Sequence, residues 1–178
     1  DGTIRIWDVQ TGTQINLIRA DINRVLSVAF SPDGTLLASG GSETEVKVWD
    51  VVSGARRMTF TGHTEEVRGV AFSPNGGLIA STSTDNSLRL WDVASGNGTL
   101  ILPGHGRDVW TAAFHPSGTA VATGGRDNSL RVWDTITGEQ IALLNDFGGW
   151  VLGVDFSIDG SRMVSGSGDG TVRVWSVE

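Results

Sequence analysis

Cysteine is missing from all 178 residues. That excludes disulfides and thiolate metal sites and leaves the redox compartment open. Lysine is nearly missing too, since of thirteen basic residues only Lys47 is Lys. Acidic residues number 20, and a formal charge of −7 argues against a nucleic-acid-binding footprint. No apolar run approaches the ~18–20 residues of a membrane span. No charged-then-apolar start resembles a signal peptide, and the expected compartment is the cytoplasm. Helical periodicity is absent throughout. His, Asp and Glu do not cluster at metal-ligand spacing, so no metal is expected. The glycine-rich run Gly166–Gly170 has no helix after it to cradle a phosphate, so it reads as a turn and no cofactor is expected.

What is present is a period. Tryptophan stands at Trp7, Trp49, Trp91, Trp133 and Trp175, 42 residues apart, each followed by Asp except the last, which precedes Ser176. Four copies, 11–52, 53–94, 95–136 and 137–178, align without insertion or deletion, and residues 1–10 read as the end of a preceding copy. A fixed period in this range marks a repeat architecture. Because the chain starts with Asp1 part-way through a copy, a truncated N-terminus is expected.

Each copy reads as four short strands. In the second, Val67–Phe72 is followed by the turn Ser73-Pro74-Asn75-Gly76, then Gly77–Ser81, a turn over 83–86, Ser87–Asp92 and Gly98–Leu102. Even spacing with turn residues between predicts antiparallel all-β structure. The first strand of every copy carries small residues: Ser27 and Ala29, Gly69 and Ala71, Thr111 and Ala113, Gly153 and Asp155. Such a strand is crowded, as it would be beside a central axis, and radially repeated four-stranded sheets form a β-propeller. Asp155 would then turn a carboxylate towards the channel.

Gly62-His63, Phe72-Ser73-Pro74, Asp85 and Trp91-Asp92, repeated in register, resemble the WD-repeat β-propeller family over the whole chain. The resemblance implies three whole blades, with inner strands beginning near Val25, Val67 and Val109, flanked by two partial blades in one propeller segment. Seven-bladed rings are usual in the family, so further blades in cis, or a second copy of the chain, are expected to close the ring. The regularity of the copies resembles bacterial members, which often serve as C-terminal sensor parts of larger regulatory proteins.

His63, Ser81 and Asp85 have the residue types of a hydrolytic triad, and so do His105, Thr123 and Asp127. Recurrence in successive repeats argues against catalysis. The resemblance implies instead two structural tetrads, His63–Ser81–Asp85–Trp91 and His105–Thr123–Asp127–Trp133, and no catalytic residue. Two copies depart from this pattern. Asp21 and Glu43 replace His and Asp in the first copy, and Phe147 replaces His in the last, so both are expected to be softer. His115, in place of the usual Ser before Pro116, reads as an exposed turn residue. The basic residue two before each Trp reads as architectural.

Trp110 and Trp150 lie outside the repeat pattern. In the resembled family, positions at the start of the inner strand and just before the turn Asp face partners. Here these are Arg24, Leu26 and Ser42; Glu66, Arg68 and Thr84; Asp108, Trp110 and Arg126; Trp150, Leu152 and Gly168. The expected function is a non-catalytic platform for a protein or peptide, binding neither nucleic acid nor membrane. Alternatives are a self-assembling short or dimeric propeller with a structural role and an enzyme with a channel site near Asp155.

Overall fold

A computed structural model describes residues 1–21 and 23–177. It is built from antiparallel strands in five sheets, with no helix among the described residues. β1 (Thr3–Trp7) and β2 (Gln14–Arg19) form a two-stranded sheet. β3 (Val25–Phe30), β4 (Leu36–Gly41), β5 (Glu45–Asp50) and β6 (Arg56–Thr61) form the first four-stranded blade. β7 (Val67–Phe72), β8 (Leu78–Ser83), β9 (Ser87–Asp92) and β10 (Gly98–Pro103) form the second. β11 (Val109–Phe114), β12 (Ala120–Gly125), β13 (Leu130–Asp134) and β14 (Gln140–Leu144) form the third. β15 (Val151–Phe156), β16 (Arg162–Ser167) and β17 (Val172–Ser176) complete the arc as a three-stranded sheet.

The sequence places the second strand of the second copy at Gly77–Ser81, whereas β8 runs two residues further, to Ser83. Ser83 still pairs with Val67, because a bulge in β7 takes up one residue and lets the ladder continue. The turn beyond it is correspondingly tight. Asn86 and Asn128 sit at φ 68° and 61°, in the left-handed region that Asn tolerates better than most residues.

Strand alternation gives each blade two apolar faces, one for each neighbour. Ala38, Val46, Val48 and Phe60 of the first blade pack on Val67, Val70, Ile79 and Trp91 of the second. Ala80, Leu88, Leu90 and Leu102 meet Phe114, Val121 and Trp133 in the same way, and Ala122 and Leu130 meet Phe147, Val151 and Met163. Each fully buried aliphatic or aromatic side chain contributes roughly 1.5–3 kcal/mol of transfer free energy. The cores therefore lie between blades, and a sheet alone would have nothing to cover it. At the ends of the arc the same positions are open. Val28 and Phe30 are exposed on one end face, and Val164, Val172 and Val174 on the other.

The small residues of the inner strands have a local cause. Ser27 Oγ accepts the backbone N–H of Val70 in the next blade at 3.1 Å. A Cβ on Gly69 would come 2.6 Å from Thr82 Oγ1 and 2.9 Å from the Trp110 carbonyl oxygen. Neighbouring inner strands approach so closely that little beyond a hydroxymethyl group fits between them. Asp155 is exposed on β15, and its carboxylate accepts the N–H of its own neighbour, Phe156, at 2.9 Å.

Candidate functional site

Two arrangements could carry function, one inside the blades and one on a face. Inside the second blade, Trp91 Nε1 donates to Ser81 Oγ at 2.8 Å. Ser81 Oγ lies 2.7 Å from His63 Nε2, and His63 Nδ1 lies 2.7 Å from Asp85 Oδ2. With the carboxylate ionised, Nδ1 carries the proton and Nε2 accepts from the hydroxyl. The third blade repeats the chain, with Trp133 Nε1 to Thr123 Oγ1 at 2.9 Å, Thr123 Oγ1 to His105 Nε2 at 2.8 Å, and His105 Nδ1 to Asp127 Oδ1 at 3.0 Å.

The distances are those of a hydrolytic triad, but the surroundings are not. Ser81 and Thr123 are fully buried and His63 and His105 nearly so. A substrate carbonyl has no path to either hydroxyl oxygen, and the indole N–H already occupies one of its lone pairs. Burial pushes the Asp85 carboxyl up, but hydrogen bonds from His63, Ser87 and the Thr64 N–H outweigh it and hold the carboxyl well below its usual range. Asp127 is held down in the same way by His105, Gly106 and Ser129. These are closed networks that lock the inner loop, the second strand and the third strand together.

The second arrangement is on the face where the inner strands begin. Every inner strand has a register shift at one residue: between Val25 and Ser27, Val67 and Gly69, Val109 and Thr111, and Val151 and Gly153. The residues bulged out are Leu26, Arg68, Trp110 and Leu152, and a bulge is what re-aims a side chain out of the sheet's alternation. A second device repeats beside it. The carbonyl before the strand accepts an N–H from the loop before the turn: Ser42 to Arg24 at 3.0 Å, Thr84 to Glu66 at 3.1 Å, Arg126 to Asp108 at 2.8 Å and Gly168 to Trp150 at 2.8 Å. Within each sheet the three expected residues are thus brought together.

Their chemistry differs from blade to blade. Glu66 holds two arginines, Arg24 at 2.6 Å and Arg68 at 3.3 Å. Further round, Asp108 lies 3.4 Å from Arg126, whose guanidinium sits 5.0 Å from the Trp150 ring centroid. Trp150 in turn meets Trp110 edge to face, with ring centroids 5.1 Å apart, and 43% of Trp150 is exposed. Gly168 adds no side chain over it.

The repeat architecture has a known counterpart. A family model described as WD40, "WD domain, G-beta repeat", matches residues 12–50, 54–92, 96–134 and 138–176. The chain belongs to the WD40 repeat family. One similar curated protein is "Nuclear distribution protein PAC1" of Coccidioides posadasii (strain C735), 49% identical over 43 residues. The match covers 24% of this chain and 9% of that protein, about one repeat.

Two WD40 copies depart from the tetrad, each in its own way. In the first, Trp49 Nε1 still donates to Ser39 Oγ at 2.8 Å. Asp21 turns away to accept from Ser42 Oγ at 2.8 Å and from the Asn23 N–H at 2.9 Å. Lys47 takes over the centre. Its Nζ donates to the Ala20 carbonyl at 3.0 Å, pairs with Glu43, and lies 3.8 Å from Glu45. The lone lysine of the sequence, one of the basic residues two before each Trp, is a nearly buried cation compensating for Glu43 and Glu45. Lys47→Met removes the only cation that faces Glu43 among the described residues and should lower stability by about 2–3 kcal/mol, read from a denaturant melt. A loss below about 0.5 kcal/mol would show that the pair is solvated.

In the last copy, Phe147 fills the histidine position by packing 5.9 Å from the Trp175 ring, with Arg173 stacked 4.5 Å above it. Asp169 makes its bonds to Thr171 and the Gly148 N–H instead, and its carboxyl is held down at about 2. His115 is not the exposed turn residue that its position beside Pro116 suggests. It is half-buried, its Nε2 lies 3.2 Å from the Gly160 carbonyl of the next blade, and its ring meets Phe156 edge to face at 5.2 Å. A serine is too short to make that reach across blades.

Proposed function

We propose that this chain is a non-catalytic platform that holds a protein or peptide segment on the face formed by the bulged residues. The observation that carries the reading is the Trp150–Trp110 pair with Arg126 stacked on it. WD40 domains as a class bind proteins or peptides, and Trp and Arg are the residue types that dominate interface energetics when clustered. The pair is held by the bulge and by the carbonyl-pinned loop, so the anchors need little ordering when a partner arrives.

Further readings rest on the same architecture. Val28, Phe30, Val164, Val172 and Val174 are exposed at the arc's ends, whereas Val70, Val46 and Val48, the counterparts of Val28, Val172 and Val174, are buried between blades. We propose that further blades, in the same chain or in a second copy, cover these faces, with the platform serving as the sensor part of a larger regulatory protein in the cytoplasm. The Coccidioides relative is named for nuclear distribution, but a likeness of one repeat supports only the repeat itself.

Trp110→Ala combined with Trp150→Ala tests the platform. The double variant should lose retention of displayed peptides that the unchanged chain retains, while the melting temperature falls by no more than about 3 °C. Unchanged retention, or a melting temperature lowered by about 10 °C or more, assigns the pair to packing.

A further inference from the structure

Resting on the reading of this face as a binding platform, the geometry points to a peptide segment with a carboxylate beside a large apolar side chain as its occupant. Three buried N–H groups on the face have no hydrogen-bond partner among the described residues: Arg68 Nε, Trp110 Nε1 and Arg126 Nε. All three are donors, and none can accept. A ligand that relieves them has to bring acceptor oxygens, and a carboxylate presents two, matched to the arginine fork. Arg68 and Arg126 reach the surface, with side chains 34% and 41% exposed, so a turn about a side-chain bond carries their N–H groups outward.

Charge supports the same sign. The chain carries −7 overall, yet this patch holds Arg24, Arg68 and Arg126 against Glu66 and Asp108. Asp108 meets Arg126 at 3.4 Å between partly exposed side chains, a loose pair that an incoming carboxylate can replace at little cost. A cationic ligand finds the reverse. Both carboxylates are already engaged by arginine, and the Trp150 ring already carries the Arg126 guanidinium. Nucleic acid, as a polyanion longer than the patch, meets the acidic remainder of the chain. The apolar element follows from Trp150 and Leu152, which are 43% and 50% exposed at the rim.

The test pans a phage-displayed random dodecapeptide library on the chain, with the Trp110→Ala/Trp150→Ala variant as counter-selection. The expected consensus places Asp or Glu within a few residues of Leu, Phe or Trp. A fluorescein-labelled consensus peptide should bind roughly tenfold more weakly when its acid is changed to the amide, and roughly tenfold more weakly to Arg68→Gln or Arg126→Gln. Its affinity should also fall as salt is raised. Melting curves of the two arginine variants, unchanged within about 2 °C, keep folding out of the comparison. A Trp-dependent consensus that is basic or uncharged overturns this inference and leaves the platform standing. If no peptide is retained, or none depends on the Trp pair, the platform itself is overturned.

Discussion

His63→Ala lowers the stability of the fold by about 3–4 kcal/mol, and His63→Phe lowers it by only about 1–2 kcal/mol. Alanine removes a buried ring that lies edge to face with Trp91 at 6.1 Å and leaves the Ser81 hydroxyl without its acceptor. The cavity cannot close readily, because the surrounding strands are fixed by their ladders. Asp85 fares better, keeping the Thr64 N–H at 3.1 Å and Ser87 at 3.0 and 2.6 Å. Phenylalanine restores the ring volume, and the last copy shows the outcome. There Phe147 packs on Trp175 while Trp175 Nε1 keeps its bond to Ser165 at 3.0 Å. Thermal melts of both variants check the order, a loss of roughly 10 °C for alanine against a few degrees for phenylalanine. If phenylalanine costs as much as alanine, the hydrogen bonds rather than the packing hold the tetrad in place. If neither substitution costs stability, the network is not structural and the catalytic alternative returns.

The difference between the copies also shows how far the sequence could be read. The 42-residue step from Trp49 to Trp91 to Trp133 sets the three whole blades of this segment and their strand order, because strand alternation and turn chemistry repeat with it. The tetrads were legible for the same reason, since their members recur in register. The bulges at Leu26, Arg68, Trp110 and Leu152 were not. Their residues follow no common type, leucine at two of them and arginine and tryptophan at the others, and a bulge is a backbone event set by the neighbouring ladder rather than by the residue it displaces. What the sequence does carry is the constraint beside each bulge, the small residue at Ser27, Gly69, Thr111 and Gly153. Lys47 and His115 escaped for another reason. Each makes its contact outside its own strand, Lys47 with Ala20 and His115 with Gly160, through pairings that no local pattern encodes. Glu43 could be seen to break the tetrad, but not that Lys47 would take its charge.

Gly69→Thr costs about 2–3 kcal/mol, and adding Thr82→Gly recovers about half of it, a coupling visible only in the double-mutant cycle. The argument starts from the inner ladder, where Ser27 pairs with Gly40, Gly69 with Thr82, Thr111 with Gly124 and Gly153 with Gly166. The first three pairs hold one side chain each, because the next blade's inner strand closes over them, whereas Gly153 and Gly166 have open space around them. A Cβ on Gly40 would collide with Val67 and one on Gly124 with Val151, as one on Gly69 does with Thr82. The second blade differs only in which strand carries the side chain. Thr82→Gly alone should cost about 1 kcal/mol, because lost packing and a glycine in a strand are offset by removing a buried hydroxyl without a partner. In the double variant the pair takes the arrangement of Thr111 and Gly124. Its hydroxyl takes the position in the second blade that Ser27 Oγ holds in the first, and the Trp110 carbonyl, backbone lying 2.9 Å from the new Cβ, still has to shift, so part of the cost remains. Gly153→Thr is the control, since nothing lies within 4 Å of a Cβ there and the cost should stay near 0.5 kcal/mol or less. Denaturant melts of the four members of the cycle decide it. Additive losses from Gly69→Thr and Thr82→Gly would show that the two side chains do not compete for one space between β7 and β8, and that the small residues answer to something other than crowding.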